Sequence, residues 1–167
     1  VTPILFECND EQREKYFSPV FDHQRRVYLA LMEPGKEADL ASMQVRADRE
    51  DGYYMLNGRK VSFSAPGEDY FAVVFALTSP DKGVREGVTC FLVDKDTPGF
   101  TLIGGEERVG WEARLRRPIF LSFENCRLPR ENILGEEGKA FHLGNEWLPL
   151  RRIVRGARCV GVAQRIL

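Results

Sequence analysis

The stretch that decides the fold is Tyr53–Phe63, which reads YYMLNGRKVSF. Its aromatic and β-branched residues are typical of a β-strand. The pair Asn57-Gly58 in its middle is the strongest short signal of a type I′ hairpin turn. A second turn, Asp51-Gly52, directly precedes the stretch. The sequence therefore predicts strands joined by tight turns here, with one hairpin centred on Asn57-Gly58.

Similar runs recur on both sides of this stretch and alternate with turn residues, at a spacing of roughly ten residues. They are Val27–Leu31, Ser42–Arg49, Tyr70–Thr78, Gly87–Lys95, Phe100–Ile103 and Pro118–Phe123. Short strands at such spacing are typical of a β-sandwich or barrel. The fold class predicted for the chain is therefore mainly β, with a barrel or sandwich in its middle.

Both ends of the chain have a helical pattern. Residues 8–17 open with a potential Asn-Asp cap and have acids in the first turn, and Pro19 is expected to end this helix. In residues 151–167 apolar side chains fall on one face at helical spacing and arginines on the other. That apolar face needs a partner helix. We therefore expect the flanking helices to be pieces of larger helical domains.

Composition excludes several classes of function. The net charge of −1 gives no field that would favour nucleic acid or an acidic membrane surface. No apolar run approaches the roughly 18 residues of a membrane span. The four cysteines contain no CxxC pair, and two histidines are too few to complete a zinc site with them, so no metal site is predicted. Cys90 and Cys126 lie in apolar runs and are expected to be buried free thiols.

Five short loop motifs follow one another along the chain. They are MEPG at 32–35, DLAS at 39–42, LNGRK at 56–60, DTPGF at 96–100 and RLPRENILG at 127–135. In this order and spacing they resemble the middle β-domain of the acyl-CoA dehydrogenase family, whose members use FAD to desaturate acyl thioesters between Cα and Cβ. The resemblance covers most of the chain.

The resemblance implies three parts. Residues 1–25 correspond to the tail of an N-terminal helical domain, and residues 26–135 to the complete middle β-barrel. Residues 136–167 correspond to the first helix of a C-terminal helical bundle. On this interpretation the chain is a segment of a longer enzyme.

The resemblance also implies cofactor-binding residues in the first loop. Leu31 and Met32 occupy positions where the family places backbone amides against the flavin pyrimidine edge. Glu37 and Ala38 occupy positions of a Gly-Ser-Asp loop that approaches the FAD pyrophosphate, and Ala38 is also a candidate for substrate contact. Ala38 lacks the serine hydroxyl, and Glu37 adds a carboxylate near the expected phosphates.

A second implied site follows the central strand. The family commonly shows Trp-Ile-Thr here, with the Trp against the isoalloxazine and the Thr donating to flavin N5. This chain has Ser62, Phe63 and Ser64. Ser64 keeps a hydroxyl, and Phe63 is adjacent to the lost indole position. The alternative interpretation is ordinary alternation of a half-buried strand.

Two more positions depart from, or extend, the family pattern. Glu112 replaces an Arg with which the family binds the cofactor across a subunit interface, and Arg114, Arg116 and Arg117 could supply the lost charge from a shifted position. The alternative is a solvated basic loop. Arg152 falls where the family has an Arg early in the first C-terminal helix, and it is a candidate for substrate binding through CoA phosphates, with domain packing as the alternative.

No Asp or Glu of the chain matches the family's catalytic base, so no catalytic residue is expected in this segment. The resemblance implies α-proton abstraction from an acyl-CoA thioester and β-hydride transfer to FAD in the full-length enzyme. Electron-transfer flavoprotein or another acceptor, homo-oligomers, and a cytoplasmic or mitochondrial matrix location are further implications. Two alternatives remain open: a flavin oxidase or monooxygenase of the same fold, and a flavin-free scaffold or interaction module.

Overall fold

The computed structural model describes residues 3–36, 39–63, 67–104, 118–145 and 147–167. Seven strands dominate the described residues. They are β1 (Arg26–Ala30), β2 (Arg46–Glu50), β3 (Tyr53–Ser62), β4 (Tyr70–Leu77), β5 (Val88–Asp94), β6 (Phe100–Gly104) and β7 (Ile119–Pro129). Each strand overlaps one of the predicted runs. The prediction of a mainly β fold with helical segments at both ends is confirmed.

The helices of the described residues lie mostly outside the sheet. They are α1 (Asp10–Gln12), a π-helical turn (Arg13–Phe17), α2 (Ser18–Phe21), α3 (Gly83–Glu86), α4 (Ala140–Asn145) and α5 (Trp147–Ile166). Short 3₁₀ turns occupy Pro3–Glu7, Leu40–Ser42, Pro80–Lys82 and Arg130–Asn132. The first helix begins as predicted, because the Asn9 side chain accepts a hydrogen bond from the Gln12 backbone N–H at 2.9 Å.

Pro19 does not end the N-terminal helix, and that prediction was wrong. The helical turns continue to Phe21. The turn directly before the proline is a wide π-turn, in which the Ser18 backbone N–H donates to the Arg13 carbonyl. A proline ring clashes with the carbonyl four residues earlier in a regular α-helix, and the wider turn relieves that clash.

The strands form one curled sheet in the order β1-β4-β2-β3-β7-β6, with β5 paired to β4. β1 runs parallel to β4, whereas β4 with β5, β2 with β3, β3 with β7 and β7 with β6 are antiparallel. β2 meets β4 at the pair Arg46 and Leu77. The turn Asp51-Gly52 joins β2 to β3, and Gly52 has a φ of +78°. The turn predicted there is confirmed.

The hairpin predicted at Asn57-Gly58 was wrong. Both residues lie inside β3, which continues to Ser62. The pairing of β3 with β7 shifts register between Leu56 and Gly58, so the two residues form a β-bulge instead of a turn. The Asn57 side chain accepts a hydrogen bond from the Asn125 backbone N–H at 2.8 Å. The same residue types suit a positive-φ turn and a bulge, which is why the sequence signal was ambiguous.

The sheet separates two apolar cores, and alternate residues of β4 point into each. Ala72, Val74 and Ala76 belong to the core inside the curled sheet. Phe71, Val73, Phe75 and Leu77 belong to a second core under the N-terminal helices and α4. Both faces of β4 are therefore buried, which explains its continuous apolar sequence.

Polar side chains attach the N-terminal helical segment to the sheet. Asp94, at the end of β5, accepts hydrogen bonds from the Tyr16 hydroxyl and the Arg25 guanidinium, both at 2.8 Å, and its carboxylate lies 2.6 Å from the Lys15 ammonium. The buried side chain of Gln12 donates to the carbonyls of residues 131 and 133, each at 2.8 Å. The segment is thus held both to β5 and to the chain after β7.

Three of the four cysteines are buried free thiols, as predicted for Cys90 and Cys126; Cys159 is exposed. Burial raises the pKa of the Cys90 thiol, so it stays protonated at neutral pH. The side chains from Arg151 to Leu167 on and after α5 are exposed, including the apolar Ile153 and Val160. In the described parts of the chain, no helix is both long enough and apolar enough to span a membrane.

Candidate functional site

The ends of β1 and β3 meet at one point of the sheet. Beyond the last residue of β1, Met32 forms an antiparallel bridge with Val61, whose backbone N–H donates to the Met32 carbonyl at 2.8 Å. This bridge brings Leu31 and Met32 together with Ser62 and Phe63, as the implied flavin site requires. Four of the predicted cofactor-binding residues are therefore neighbours in space.

A buried ion pair lies behind this bridge. The Lys60 side chain is fully buried and Glu33 is 7% exposed. The Lys60 ammonium lies 3.1 Å from a carboxylate oxygen of Glu33. The same ammonium donates to the Leu31 carbonyl at 3.0 Å. Lys60 therefore joins β3 both to the end of β1 and to the loop that follows it.

The Glu33 carboxylate also fixes the start of β2. It accepts backbone hydrogen bonds from Gln44 at 2.9 and 3.0 Å and from Val45 at 2.8 Å. A buried carboxylate needs such donors, because leaving it unpaired costs several kcal/mol. Glu33 thus connects the residue before the loop 34–43 to the two residues that follow it.

The surroundings of Lys60 alter its protonation. Burial lowers the pKa of Lys60 to about 8, although the nearby Glu33 carboxylate acts in the opposite direction. At neutral pH Lys60 is therefore mainly a cation. A charged ammonium is a stronger hydrogen-bond donor than a neutral amine, so the Leu31 carbonyl receives a charge-assisted bond.

A surface cleft of about 280 Å³ lies beside the ion pair, and its lining includes Glu33, Lys36, Gln44 and Arg59. Two cationic side chains line this cleft. A second recess, lined in part by Leu31, Asp39 and Met43, is too small to admit a water molecule.

The residues at the bridge suit the isoalloxazine ring of FAD. Leu31, Met32 and Phe63 are half-buried, so each keeps part of its apolar surface accessible. The backbone between Leu31 and Met32 is held by Lys60 on one carbonyl and by Val61 on the next. A flat ring system with an apolar body and a polar edge matches fixed peptide groups beside apolar side chains. The residues present therefore fit the group that the resemblance implies.

Of the remaining predicted site residues, the structure describes Arg152 alone. Glu37, Ala38, Ser64, Glu112 and Arg114 lie outside the described residues. Arg152 is exposed on α5. Within the described ranges, no group of three or more His, Cys, Asp and Glu side chains is arranged to hold a metal ion.

Sequence reasoning missed the pairing of Lys60 with Glu33. Glu33-Pro34-Gly35 could be interpreted as a turn, and Lys60 as one polar position of a half-buried strand. The available signal was Lys60 directly before the apolar Val61, in a stretch with few other charges. A lysine in such a run requires either exposure or a buried anion. The sequence alone did not identify which anion, since Glu33 is 27 residues away.

Comparison with known proteins supports the same family. The family model described as "Acyl-CoA dehydrogenase, middle domain" matches residues 29–122, more than half of the chain. An acyl-CoA dehydrogenase of Bacillus subtilis (strain 168) is 36% identical over 165 residues, which is 99% of this chain and 43% of that protein. The chain therefore spans less than half the length of this relative.

Two solved structures are similar in fold as well as sequence. An acyl-CoA dehydrogenase from Geobacillus kaustophilus has a TM-score of 0.79 and 34% identity, over 92% of this chain and 40% of that chain. A prolyl acyl carrier protein oxidase has a TM-score of 0.76 and 32% identity, over 86% of this chain and 37% of that chain. Motifs, sheet topology and sequence similarity agree: the chain belongs to the acyl-CoA dehydrogenase family.

Proposed function

We propose that this chain supplies the flavin-facing wall and one side of the acyl thioester cleft in an FAD-dependent acyl-CoA dehydrogenase. Family membership gives the reaction class. The observation that carries the proposal is the bridge between Met32 and Val61, backed by the Lys60 ammonium on the Leu31 carbonyl. This arrangement fixes peptide groups beside partly accessible apolar side chains, which is what a bound flavin needs.

In this proposal the backbone of Leu31 and Met32 binds the polar edge of the flavin ring. Ser62, Phe63 and Ser64 contact the ring from the end of β3. Bound FAD supplies the hydride acceptor for the acyl Cβ. The chain contributes no general base, and the α-proton is taken by a carboxylate outside these residues.

The substrate proposed is an acyl-CoA thioester. From the family resemblance we assign Glu37 and Ala38 to the binding of the FAD pyrophosphate, Ala38 also to substrate contact, and Arg152 to the binding of CoA phosphates. We further propose the division into residues 1–25, 26–135 and 136–167 as parts of three domains. Electron-transfer flavoprotein or another acceptor, a homo-oligomeric assembly and a cytoplasmic or mitochondrial matrix location complete the proposal.

The test is a titration of FAD into two purified proteins: the full-length protein that carries this segment, and the 167-residue chain alone. Visible absorbance and quenching of flavin fluorescence report binding. We expect stoichiometric binding by the full-length protein and weak or no binding by the segment. Absence of flavin binding by the full-length protein would refute the proposal and favour a scaffold or interaction module.

A second candidate function is that of a flavin oxidase of the same fold. The similarity to a prolyl acyl carrier protein oxidase favours it, as does the loss of the family's Thr hydroxyl at Met32. The two candidates differ in the acceptor. A dehydrogenase reduces an added dye or electron-transfer flavoprotein when given acyl-CoA, whereas an oxidase consumes oxygen without an added acceptor.

A further inference from the structure

The chain runs back along β1 after β3 ends. Just beyond the last residue of β1, the Val61 N–H donates to the Met32 carbonyl at 2.8 Å. At the start of β1, the Arg26 N–H donates to the Asp69 carbonyl at 2.9 Å. The connection from β3 to β4, residues 63–69, therefore leads from one end of β1 to the other.

A third contact attaches this connection to the middle of β1. The backbone N–H of Gly67 donates a hydrogen bond to the Tyr28 hydroxyl. Burial raises the pKa of Tyr28, although the bond from Gly67 acts in the opposite direction, so the hydroxyl is neutral at physiological pH. Gly67 also packs closely on Arg26, because a Cβ atom added to Gly67 would lie 2.3 Å from Arg26 Cγ. The glycine therefore brings the chain against β1.

The Tyr28 side chain is itself fixed. Its ring is buried in the core inside the curled sheet. It meets the Tyr70 ring edge-to-face, with 5.4 Å between the ring centroids, which is a favoured geometry for aromatic pairs. The Tyr28 hydroxyl is therefore an acceptor with a fixed position for the Gly67 N–H.

We propose that Tyr28 is a positioning residue for the flavin: its hydroxyl holds Gly67 against β1 and so fixes the second end of the segment 63–66. This segment contains the proposed flavin contacts Phe63 and Ser64. The inference rests on the proposed function. Tyr28 is buried in the core and acts on the flavin only through this segment.

The contact shortens the stretch between fixed points of the chain. Ser62, the last residue of β3, is paired with β7. With the Tyr28 bond, four residues, 63–66, separate β3 from the next hydrogen bond to β1. Without it the stretch is six residues, 63–68, because the next such bond is that of the Asp69 carbonyl. Binding that must order more residues is weaker, because each ordered residue loses conformational entropy.

Both halves of the proposed flavin site are then fixed to one strand. Leu31 and Met32 follow directly on β1, and Tyr28 lies within it. A shift of β1 would move the two halves together, so the separation between them is preserved. A rigid ring that contacts both halves requires such a constant separation, and supporting hydrogen bonds behind the contacting residues are the usual means of obtaining it.

The test compares Tyr28→Phe with the unmutated full-length protein that carries this segment. Phenylalanine keeps the ring and removes only the hydroxyl. Tyr70→Phe is the matched control, because it removes a hydroxyl from the neighbouring ring and leaves the bond to Gly67 intact. The readouts are the FAD dissociation constant, the visible absorbance spectrum of bound flavin, and urea-induced unfolding of the FAD-free protein.

We expect Tyr28→Phe to bind FAD about 2- to 10-fold more weakly, the equivalent of one net hydrogen bond. The spectrum of bound flavin should shift, because Phe63 no longer meets the ring in a single arrangement. Tyr70→Phe should keep the affinity and the spectrum of the unmutated protein.

A Tyr28→Phe variant that is less stable but has the FAD affinity and flavin spectrum of the unmutated protein would overturn the inference, since a purely structural role predicts that result. Equal losses of affinity in Tyr28→Phe and Tyr70→Phe would overturn it as well. If the unmutated full-length protein binds no FAD, the proposed function fails, and this inference fails with it.

Discussion

Gly58 lies directly against Val45. A Cβ atom added at Gly58 would be 2.7 Å from Cγ2 of Val45 and 3.2 Å from its Cα. Val45 in turn donates its backbone N–H to Glu33 and accepts a hydrogen bond from the Leu77 backbone through its carbonyl. The bulge in β3 therefore brings a glycine against a residue whose backbone is fixed on both sides.

Replacing Gly58 by Ala should lower the free energy of unfolding by about 2–4 kcal/mol, since an unfavourable φ of +126° adds to the clash with Val45. Urea-induced unfolding measures the change. Gly52→Ala is the matched control: its φ is +78° and its Cβ would meet no atom within 4 Å. Equal losses in the two variants would contradict the role assigned to Val45.

Lys60→Met should lower the free energy of unfolding by about 3–5 kcal/mol, because it leaves the Glu33 carboxylate buried beside an apolar side chain. The double variant Lys60→Met with Glu33→Gln should lose clearly less, since no unpaired charge remains. Denaturant titrations of the unmutated chain, Lys60→Met, Glu33→Gln and the double variant give the coupling free energy between the two side chains. A coupling near zero would show that the two side chains do not interact.

Asp94 should make stability depend on pH in the acid range. Burial acts to raise the pKa of Asp94, but hydrogen bonds from Lys15, Arg25 and Tyr16 outweigh it and hold the pKa below its usual range. The folded state therefore binds the proton less readily than the unfolded state. The stabilisation is complete above the unfolded pKa of about 3.9 and disappears as the pH falls through the folded pKa.

Asp94→Asn should accordingly lower the free energy of unfolding at pH 7 by about 1–3 kcal/mol and flatten its decrease toward low pH. Unfolding titrations at several pH values, from neutral down to below the folded pKa, check this. The exposed Asp48→Asn should keep the pH profile of the unmutated chain. A profile of Asp94→Asn as steep as that of the unmutated chain would exclude Asp94 as the titrating group.

Gln12→Glu should loosen the N-terminal helical segment. A carboxylate can still accept the hydrogen bond from the Asn9 backbone N–H, but it cannot donate to the carbonyls of residues 131 and 133. We expect a loss of about 2–4 kcal/mol and faster proteolysis within residues 3–21. Glu11→Gln, an exposed change one residue away, is the control and should have little effect. Unchanged proteolysis of Gln12→Glu would mean that these two bonds do not hold the segment.

The strands could be predicted from sequence because their pattern is local. Both faces of β4 are buried, so its continuous apolar run was a strong signal. The hairpin prediction at Asn57-Gly58 failed because a bulge and a hairpin turn favour the same residue types. The choice between them depends on pairing with β7, more than 60 residues later. The prediction that Pro19 ends the N-terminal helix failed because a π-turn just before the proline relieves the expected clash.

The site could be predicted only as far as the motifs reach. Leu31, Met32, Ser62 and Phe63 lie at or just beyond the ends of β1 and β3, and the resemblance to a family predicted that they share one site. The pairing of Glu33 with Lys60 could not be derived, because each charge alone is compatible with an exposed position. Burial of both charges depends on the path of the sheet, and no local pattern specifies that path.

The sheet also has a mechanical consequence. Two backbone hydrogen bonds near Glu33 connect neighbouring parts of the sheet: the Leu77 N–H donates to the Val45 carbonyl, and the Val61 N–H donates to the Met32 carbonyl. The Glu33 carboxylate touches both contacts, through Val45 on one side and Lys60 on the other. The Glu33 side chain therefore connects the contact between Leu77 and Val45 to the contact between Val61 and Met32. A shift of the strands at one of these contacts therefore displaces Glu33 and disturbs the other contact. The conformation of the loop after β1 is thus coupled to the alignment of the strands.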